Sequence, residues 1–166
     1  MTNNDLLVRL RYALDIKDTD MVEMFRRGGA DMDKEGLRRI LAKPLVIGDV
    51  DGEEEESSEY QPCNDKLLEK FLNGFIAFKR GPQDPKPGQP QPTKKDKTNN
   101  LFFKKVKVAL SLTTDDLMEI FALGGASVSK GELGAILRKP DHRNYQECLD
   151  SFLRKFLKGL TQKHRG

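Results

Sequence analysis

The segment EMFRRGGA at residues 23–30 recurs as EIFALGGA at residues 119–126, 96 positions further along the chain. Under the same shift, the Asn pair at residues 3–4 falls on the Asn pair at residues 99–100. About four in ten aligned positions are identical, which is typical of an internal repeat. The chain of 166 residues is therefore a tandem duplication.

The two copies differ by an insertion and are separated by a linker. The acidic segment 45–59 has no counterpart in the second copy, and the register slips there by eleven positions. Segment 82–98 holds five of the eight prolines, a composition that favours an extended, polyproline-like linker. The predicted organisation is a first unit at 1–81, a flexible Pro/Lys-rich linker at 82–98 and a second unit at 99–166.

Each unit has the periodicity of four short helices. The first helix is predicted from about Asn4 to Ile16, with the Asn pair as its N-cap. The third helix of the second unit has a cap and capping box in Ser129 and Glu132, and Asp33 supplies the cap in the first unit. The Gly-Gly pairs at 28–29 and 124–125 follow the second helices, so C-caps with a left-handed residue fit them better than phosphate loops.

No segment alternates with a period of two, so the predicted fold class is all-α. Hydrophobic residues make up 37% of the chain and charged residues 33%, enough apolar material for a modest core. A unit of this size is marginally stable alone. We therefore expect an apolar face of each unit to dock on the other unit or on a second copy, and two four-helix units packed as a pseudo-two-fold pair would serve.

The repeated motifs resemble those of the YehS-like family. The pattern combines Asn-Asn, a first helix ending in Ala-Leu, (Met/Leu)-x-Glu-(Met/Ile)-Phe, Gly-Gly-Ala, Cys-x-Asp-x-x-Leu-x-x-Phe-Leu-x-Gly and a final Arg-Gly. That bacterial family is classed as a domain of unknown function, usually in two tandem copies. The resemblance implies an all-helical cytoplasmic protein and brings no catalytic or ligand residues. The insertion and the linker depart from the pattern and leave the placement of the units open.

The chain has no apolar run of about 18 residues and no N-terminal signal peptide, so a cytoplasmic protein with reduced thiols is expected. Cys63 and Cys148 precede the fourth helices, where a buried structural thiol is favoured and a reactive thiol stays open. The two histidines, His142 and His164, both lie in the second unit, which argues against a metal site shared by both copies.

No catalytic constellation is recognisable. His142 has no nucleophile beside it, and Glu23 with its counterpart Glu119 fits helix charge better than an acid/base couple. The segment 49–53 resembles the start of a calcium loop but lacks the required glycine, so a solvated acidic loop is favoured over weak cation binding. We predict no catalytic residue, cofactor or metal, and a protein that is not an enzyme.

The two units carry opposite charge. The first has 13 basic and 17 acidic residues, and the second has 12 basic and 7 acidic residues. Such asymmetry suggests two surfaces with different partners, or attraction between the units. Candidate nucleic-acid contacts are the basic residues of the third helices and of the fifth helix: Lys34, Arg38, Arg39, Lys43, Lys104, Lys105, Lys107, Lys130, Arg138 and Lys139.

Gly131, Gly134 and Ala135 lie in the third helix of the second unit, where each glycine costs helix stability of about 1 kcal/mol relative to alanine. A close approach of another backbone would explain them. We predict that this face packs on the first unit or on another protein; a drifted, exposed helix is the alternative. Unchanged stability, oligomeric state and partners in Gly134→Leu would exclude a packing role.

The sequence thus favours a helical binding or scaffold module that acts through protein–protein contacts. The alternative is weak, salt-dependent binding of nucleic acid through the basic second unit. The predicted partner is an unidentified protein, with nucleic acid as the alternative; a homo-oligomer stays open and a membrane is not expected.

Overall fold

The computed structural model describes residues 2–42, 61–81 and 96–165. In these ranges the chain forms eight α-helices and no β-strand, which confirms the all-α prediction. The insertion at 45–59 and the linker up to residue 95 lie outside the described residues. The helices are α1 (Asn3–Leu14), α2 (Asp18–Arg27), α3 (Lys34–Leu41), α4 (Asp65–Arg80), α5 (Thr98–Ala109), α6 (Thr114–Leu123), α7 (Lys130–Leu137) and α8 (Asp150–Arg165).

The two units pack on each other as a pseudo-two-fold pair. Within the units, α2 packs on α4 and α6 packs on α8. Between the units, α5 packs on α4 and α1 packs on α8, so each unit's first helix lies against the other unit's last helix. The buried side chains form one cluster that includes residues of both units. Each small unit thereby gains the apolar burial that it lacks alone.

Phenylalanines hold the helix pairs together inside each unit. Phe25 of α2 lies 4.9 Å from Phe71 of α4, ring centroid to ring centroid. In the second unit, Phe103 of α5 lies 4.9 Å from Phe156 of α8, with an interplanar angle of 89°. These four rings are fully buried, and edge-to-face or tilted ring pairs add to the stabilisation from burial.

The two glycines of each Gly-Gly pair have different roles. Gly28 lies where α2 crosses α4, and a Cβ atom there would overlap the Lys70 carbonyl oxygen, just as a Cβ on Gly74 would overlap the Met24 carbonyl oxygen. Gly29 has a φ of 92°, the left-handed conformation that glycine adopts most easily. The same arrangement recurs at Gly124, Gly125 and Gly159. The predicted C-caps are confirmed, and the first glycine of each pair also permits close helix packing.

The Asn pairs are not N-caps, so that prediction is wrong. The N-cap of α1 is Thr2, whose hydroxyl oxygen accepts a hydrogen bond from the Asp5 backbone N–H at 3.1 Å. Asn4 is buried in α1, and its side-chain amide donates to the Ile40 and Gln61 carbonyl oxygens, both at 2.8 Å. Its Oδ1 accepts from the Cys63 backbone N–H at 2.8 Å. Asn4 therefore ties the segment before α4 to the end of α3.

The second unit repeats this arrangement, which we call the asparagine clamp. Asn100 donates to the Ile136 and Gln146 carbonyl oxygens at 3.1 and 2.9 Å and accepts from the Cys148 backbone N–H at 2.8 Å. Buried backbone groups need such partners, because an unsatisfied group costs about 1–3 kcal/mol. The clamp satisfies three of them at once in each unit.

The predicted caps of the third helices are confirmed, but the capping box predicted for Ser129 and Glu132 is not formed, because the Glu132 carboxylate accepts from the Ser129 hydroxyl at 3.4 Å and not from its backbone N–H. Asp33 accepts from the Gly36 backbone N–H at 2.6 Å, and Ser129 accepts from the Glu132 backbone N–H at 3.1 Å.

Within the described ranges, no helix is long and apolar enough to span a membrane.

Candidate binding cleft between the two units

A cleft of about 1110 Å³ lies where α2 and α4 of the first unit meet α5 of the second. We call it the basic cleft, because four of the side chains that line it are cationic. The cations are Arg26 and Arg27 from α2 and Lys104 and Lys105 from α5. The remaining lining residues are the aliphatic Ile76, Ala77, Leu101 and Val108, with the polar Asn73 and Asp96.

The two arginines of the basic cleft are held by one carboxylate. Glu23 lies three and four residues before them, so all three side chains share one side of α2. Arg26 bonds both Glu23 oxygens at 2.8 and 2.6 Å, and Arg27 Nε bonds Oε2 at 2.8 Å. The hydrogen bonds from Arg26 and then Arg27 lower the pKa of Glu23 to about 2. The carboxylate therefore stays charged and fixes two guanidinium groups at the mouth of the cleft.

The two lysines are partly buried and bond to the protein itself. Lys105 Nζ donates to Asn73 Oδ1 at 2.6 Å across the junction of the units, and burial lowers the pKa of this lysine. Lys104 Nζ forms an ion pair with Asp96 at 2.6 Å and donates to the Arg138 carbonyl oxygen at 2.6 Å. The two residues were predicted to contact nucleic acid, and the structure places both in the basic cleft.

The predicted nucleic-acid residues of the first unit lie on α3. Lys34, Arg38 and Arg39 are exposed. Glu35 pairs with Arg38 at 2.8 Å and with Arg39 at 3.7 Å, so this carboxylate offsets part of their charge. Lys43 lies outside the described residues.

Four further residues of the second unit were predicted to contact nucleic acid. Lys130 and Lys139 are exposed, whereas Lys107 and Arg138 are half-buried. Lys104 and Lys105 thus lie together in the basic cleft, whereas Lys34 and Arg38 line a smaller pocket of about 490 Å³ on the first unit. A nucleic-acid role for the whole set stays a prediction.

The glycines of α7 are not closely approached by any other described part of the chain. No packing neighbour among the described residues lies within 4 Å of the position that a Cβ on Gly134 would occupy, and Gly131 has only the Ser129 hydroxyl at 3.8 Å. Ala135 is half-buried. The expected packing of this face on the first unit is therefore not seen among the described residues, and its packing on another protein stays a prediction.

Both cysteines have the environment of structural thiols. Cys63 and Cys148 are buried, and their backbone N–H groups bond the asparagine clamps. Burial, with a smaller effect of the Asp65 charge, raises the pKa of Cys63 to about 12. Burial also raises the pKa of Cys148 to about 12, with the Asp150 and Glu147 charges adding to it. A raised pKa opposes the thiolate that a reactive cysteine needs.

The side chains considered for catalysis bond to nearby residues of the chain. His142 Nδ1 accepts from the Asn144 backbone N–H at 3.0 Å in an exposed turn. Glu23 binds the two arginines, and its counterpart Glu119 lies 3.6 Å from Lys163. Within the described ranges, no three His, Cys, Asp or Glu side chains group to hold a metal ion.

The equivalent junction of α8 with α1 has different side chains. Arg26 and Arg27 correspond to Ala122 and Leu123, and Lys104 corresponds to Val8. Leu123 is 44% exposed, Val8 40% and Tyr12, at the position of Val108, 59%. The sequence analysis missed the two arginines, although comparing 23–30 with 119–126 shows them as the basic pair that one copy has and the other lacks.

The fold and the cleft define an all-helical protein of two duplicated four-helix units with a basic cleft at one of their two junctions. A family model described as "Protein of unknown function (DUF1456)" matches residues 3–81 and 99–166. The chain belongs to this family. It is 37% identical over 163 residues to the "Uncharacterized protein YehS" of Escherichia coli (strain K12), an alignment that covers 98% of this chain and 96% of that protein. No solved structure matches the chain.

Proposed function

We propose that this chain is a non-enzymatic binding or scaffold protein of the bacterial cytoplasm that acts through contact with another protein. The observation that carries the proposal is the basic cleft. Its volume of about 1110 Å³ lies above the range of about 300–1,000 Å³ usual for small-molecule sites. A cleft of this size, open along three helices, suits a segment of a protein partner better than a metabolite.

The chemistry of the cleft also favours binding over catalysis. Its cations are held by Glu23, Asn73 and Asp96 in fixed positions, which lowers the entropic cost of binding a charged partner. Burial raises the pKa of both thiols to about 12, so they stay protonated. The Glu23 carboxylate already accepts hydrogen bonds from two arginines. A general base needs a pKa near the working pH, and the lowered pKa of Glu23 makes it a poor one.

The test is capture of a partner by the full chain and by cleft variants. The informative variant is Arg26→Ala with Arg27→Leu, which installs the residues that the second unit has at these positions. The control is Lys130→Gln with Lys139→Gln, which removes two exposed cations outside the cleft. Lysate is applied with and without nuclease at salt concentrations of about 0.1 and about 0.5 M.

We expect a partner protein that is still captured after nuclease treatment. The wild type and the control should retain it equally, and the arginine variant should retain at least tenfold less. The captured protein is then purified and titrated against all three forms. Equal retention by the wild type and the arginine variant would overturn the proposal. A second copy of the chain would show as a change in mass by light scattering.

Weak nucleic-acid binding through the second unit is the second candidate. Its support is that Lys107, Lys130 and Lys139 make no ion pair with any described residue, so their charges are available to phosphates. In the same experiment this function predicts nucleic acid that is released at high salt and lost from the Lys130/Lys139 variant.

A further inference from the structure

We infer that the partner segment bound by the basic cleft is an acidic amphipathic helix, with aliphatic side chains on the floor of the cleft and carboxylates at its two cationic edges. The inference rests on the proposed function, because it names the partner of the same site.

The shape of the cleft matches a helix. α4 packs against both α2 and α5 and contributes Ile76 and Ala77 to the floor. Leu101 and Val108, seven residues apart on α5, line one wall over about 10 Å, or two helical turns. Amphipathic helices commonly bind in such a groove, with their apolar face against an aliphatic floor between packed helices.

The charges lie on both sides of that floor. Arg26 and Arg27 come from α2, and Lys104 and Lys105 come from α5. Glu23 and Asp96 offset two of the four charges, and the Glu69 carboxylate also acts on Lys105, so the site keeps a net positive charge. A helix whose carboxylates flank an apolar stripe would meet cations on each side, whereas a uniformly acidic chain would leave the floor unused.

The same features disfavour a nucleic acid in this cleft. Sequence-tolerant binding of single strands depends on aromatic side chains that stack on bases, and the lining residues of the cleft include none. The aliphatic floor and the mixed charge are better used by a peptide.

The experiment measures the anisotropy of a labelled peptide against the full chain. The probe has about 18 residues, enough for five helical turns, with leucines at helical spacing along one face and glutamates on both flanks. A scrambled peptide of the same composition and a single-stranded oligonucleotide of about 12 nucleotides are titrated in parallel. Arg26→Ala/Arg27→Leu is the test variant, and Ala122→Arg/Leu123→Arg is the control, with helix content checked by circular dichroism.

We expect the amphipathic peptide to bind at least tenfold more tightly than the scrambled one. The arginine variant should lose at least tenfold, and the Ala122/Leu123 variant should keep the wild-type affinity. Equal affinity for both peptides, tighter binding of the oligonucleotide, or no loss in the arginine variant would each overturn the inference. If the captured partner still depends on Arg26 and Arg27, such a result leaves the proposed function standing. If its capture does not depend on them, the proposed function fails whatever the peptide does.

Discussion

The junction of α4 with α5 and the junction of α8 with α1 use equivalent helices but have different exposed side chains. The first has Arg26, Arg27 and Lys104 around a cleft, and the second has Ala122, Leu123 and Val8 at the equivalent positions, while Lys105 has a basic counterpart in Arg9. In the interior, both units have glycines where the second and fourth helices cross, and both have an asparagine clamp. The duplicated interior therefore specifies the fold, and the two copies differ in the side chains that they expose at the junctions.

Replacing the glycine of the helix crossing should have the largest effect on stability. In Gly74→Ala the new methyl group would overlap the Met24 carbonyl oxygen, and backbone cannot give way as a flexible side chain can. We expect a loss of about 3 kcal/mol in the free energy of unfolding, at the upper end for overpacked sites. Gly159→Ala should behave in the same way, because its methyl group would meet the Ile120 carbonyl oxygen. Urea unfolding followed by circular dichroism measures both.

Gly134→Ala is the matched control for the crossing. Its methyl group meets no packing neighbour within 4 Å among the described residues, so it should add about 0.5–1 kcal/mol through helix propensity. A neutral result for Gly74→Ala would contradict the close packing of α2 on α4.

Removing the asparagine clamp should have the next largest effect. In Asn4→Leu or Asn100→Leu, one buried N–H and two carbonyl groups lose their partner. We expect each variant to lose at least about 2 kcal/mol of stability, since two of the three bonds in each clamp are buried and an unsatisfied buried group costs about 1–3 kcal/mol. Thermal unfolding of the two variants compares the clamps directly.

Gln61→Ala is the control for the clamp, because the exposed Gln61 contributes only its backbone carbonyl oxygen to Asn4. It should unfold like the wild type. If only one asparagine variant loses stability, the two units do not depend equally on their clamps.

The helices were predictable from the sequence because most of their signals are local and recur in both copies. Helical periodicity, the caps at Asp33 and Ser129 and the Gly-Gly C-caps are local patterns, and all appear in the structure. The role of Asn4 could not be predicted in this way. Asparagine at a helix start normally indicates an N-cap, whereas the partners of Asn4 lie 36 to 59 residues away.

The basic cleft was only partly predictable. Lys104 and Lys105 were noticed as basic residues, but their position in a cleft depends on α5 packing on α4 of the other unit. The pairing of Arg26 and Arg27 with Glu23 follows from helical spacing. That these arginines face the lysines across α4 requires the arrangement of the two units, which no local pattern encodes.

A further prediction concerns the carboxylate that offsets the arginines. Glu23→Gln removes one negative charge beside the cleft but keeps a side-chain oxygen that can accept from the arginines, and we expect the acidic peptide to bind about tenfold more tightly at low salt. Because the pKa of Glu23 is lowered to about 2, its stabilising pairing is fully present above pH 4.5 and is lost as the pH falls toward 2. Peptide titrations at about pH 5 and about pH 8 should therefore show no change from Glu23.

Glu119→Gln is the matched control for the charge effect. Glu119 is the counterpart of Glu23 at the other junction, where it lies near Lys163 instead of two arginines. It should leave peptide affinity unchanged. Equal gains from both substitutions would mean that net charge, rather than the basic cleft, governs binding.

The smallest expected effect comes from transferring a helix cap between the units. Thr113 and Asp116 form a capping box at the start of α6, whereas Lys17 at the equivalent position gives α2 no side-chain cap. Asp20 already stands three residues after Lys17, as the box requires. Lys17→Thr should therefore add about 0.5–1 kcal/mol of stability, measured by urea unfolding.

Lys17→Ala separates the new cap from the loss of the lysine, because alanine cannot accept the hydrogen bond. Only the threonine variant should be stabilised, because only threonine can accept the backbone hydrogen bond that Thr113 accepts from Asp116. Equal stability of the two variants would show that the start of α2 cannot adopt the geometry of α6. The two copies would then differ in the backbone at this helix start and not in the side chain alone.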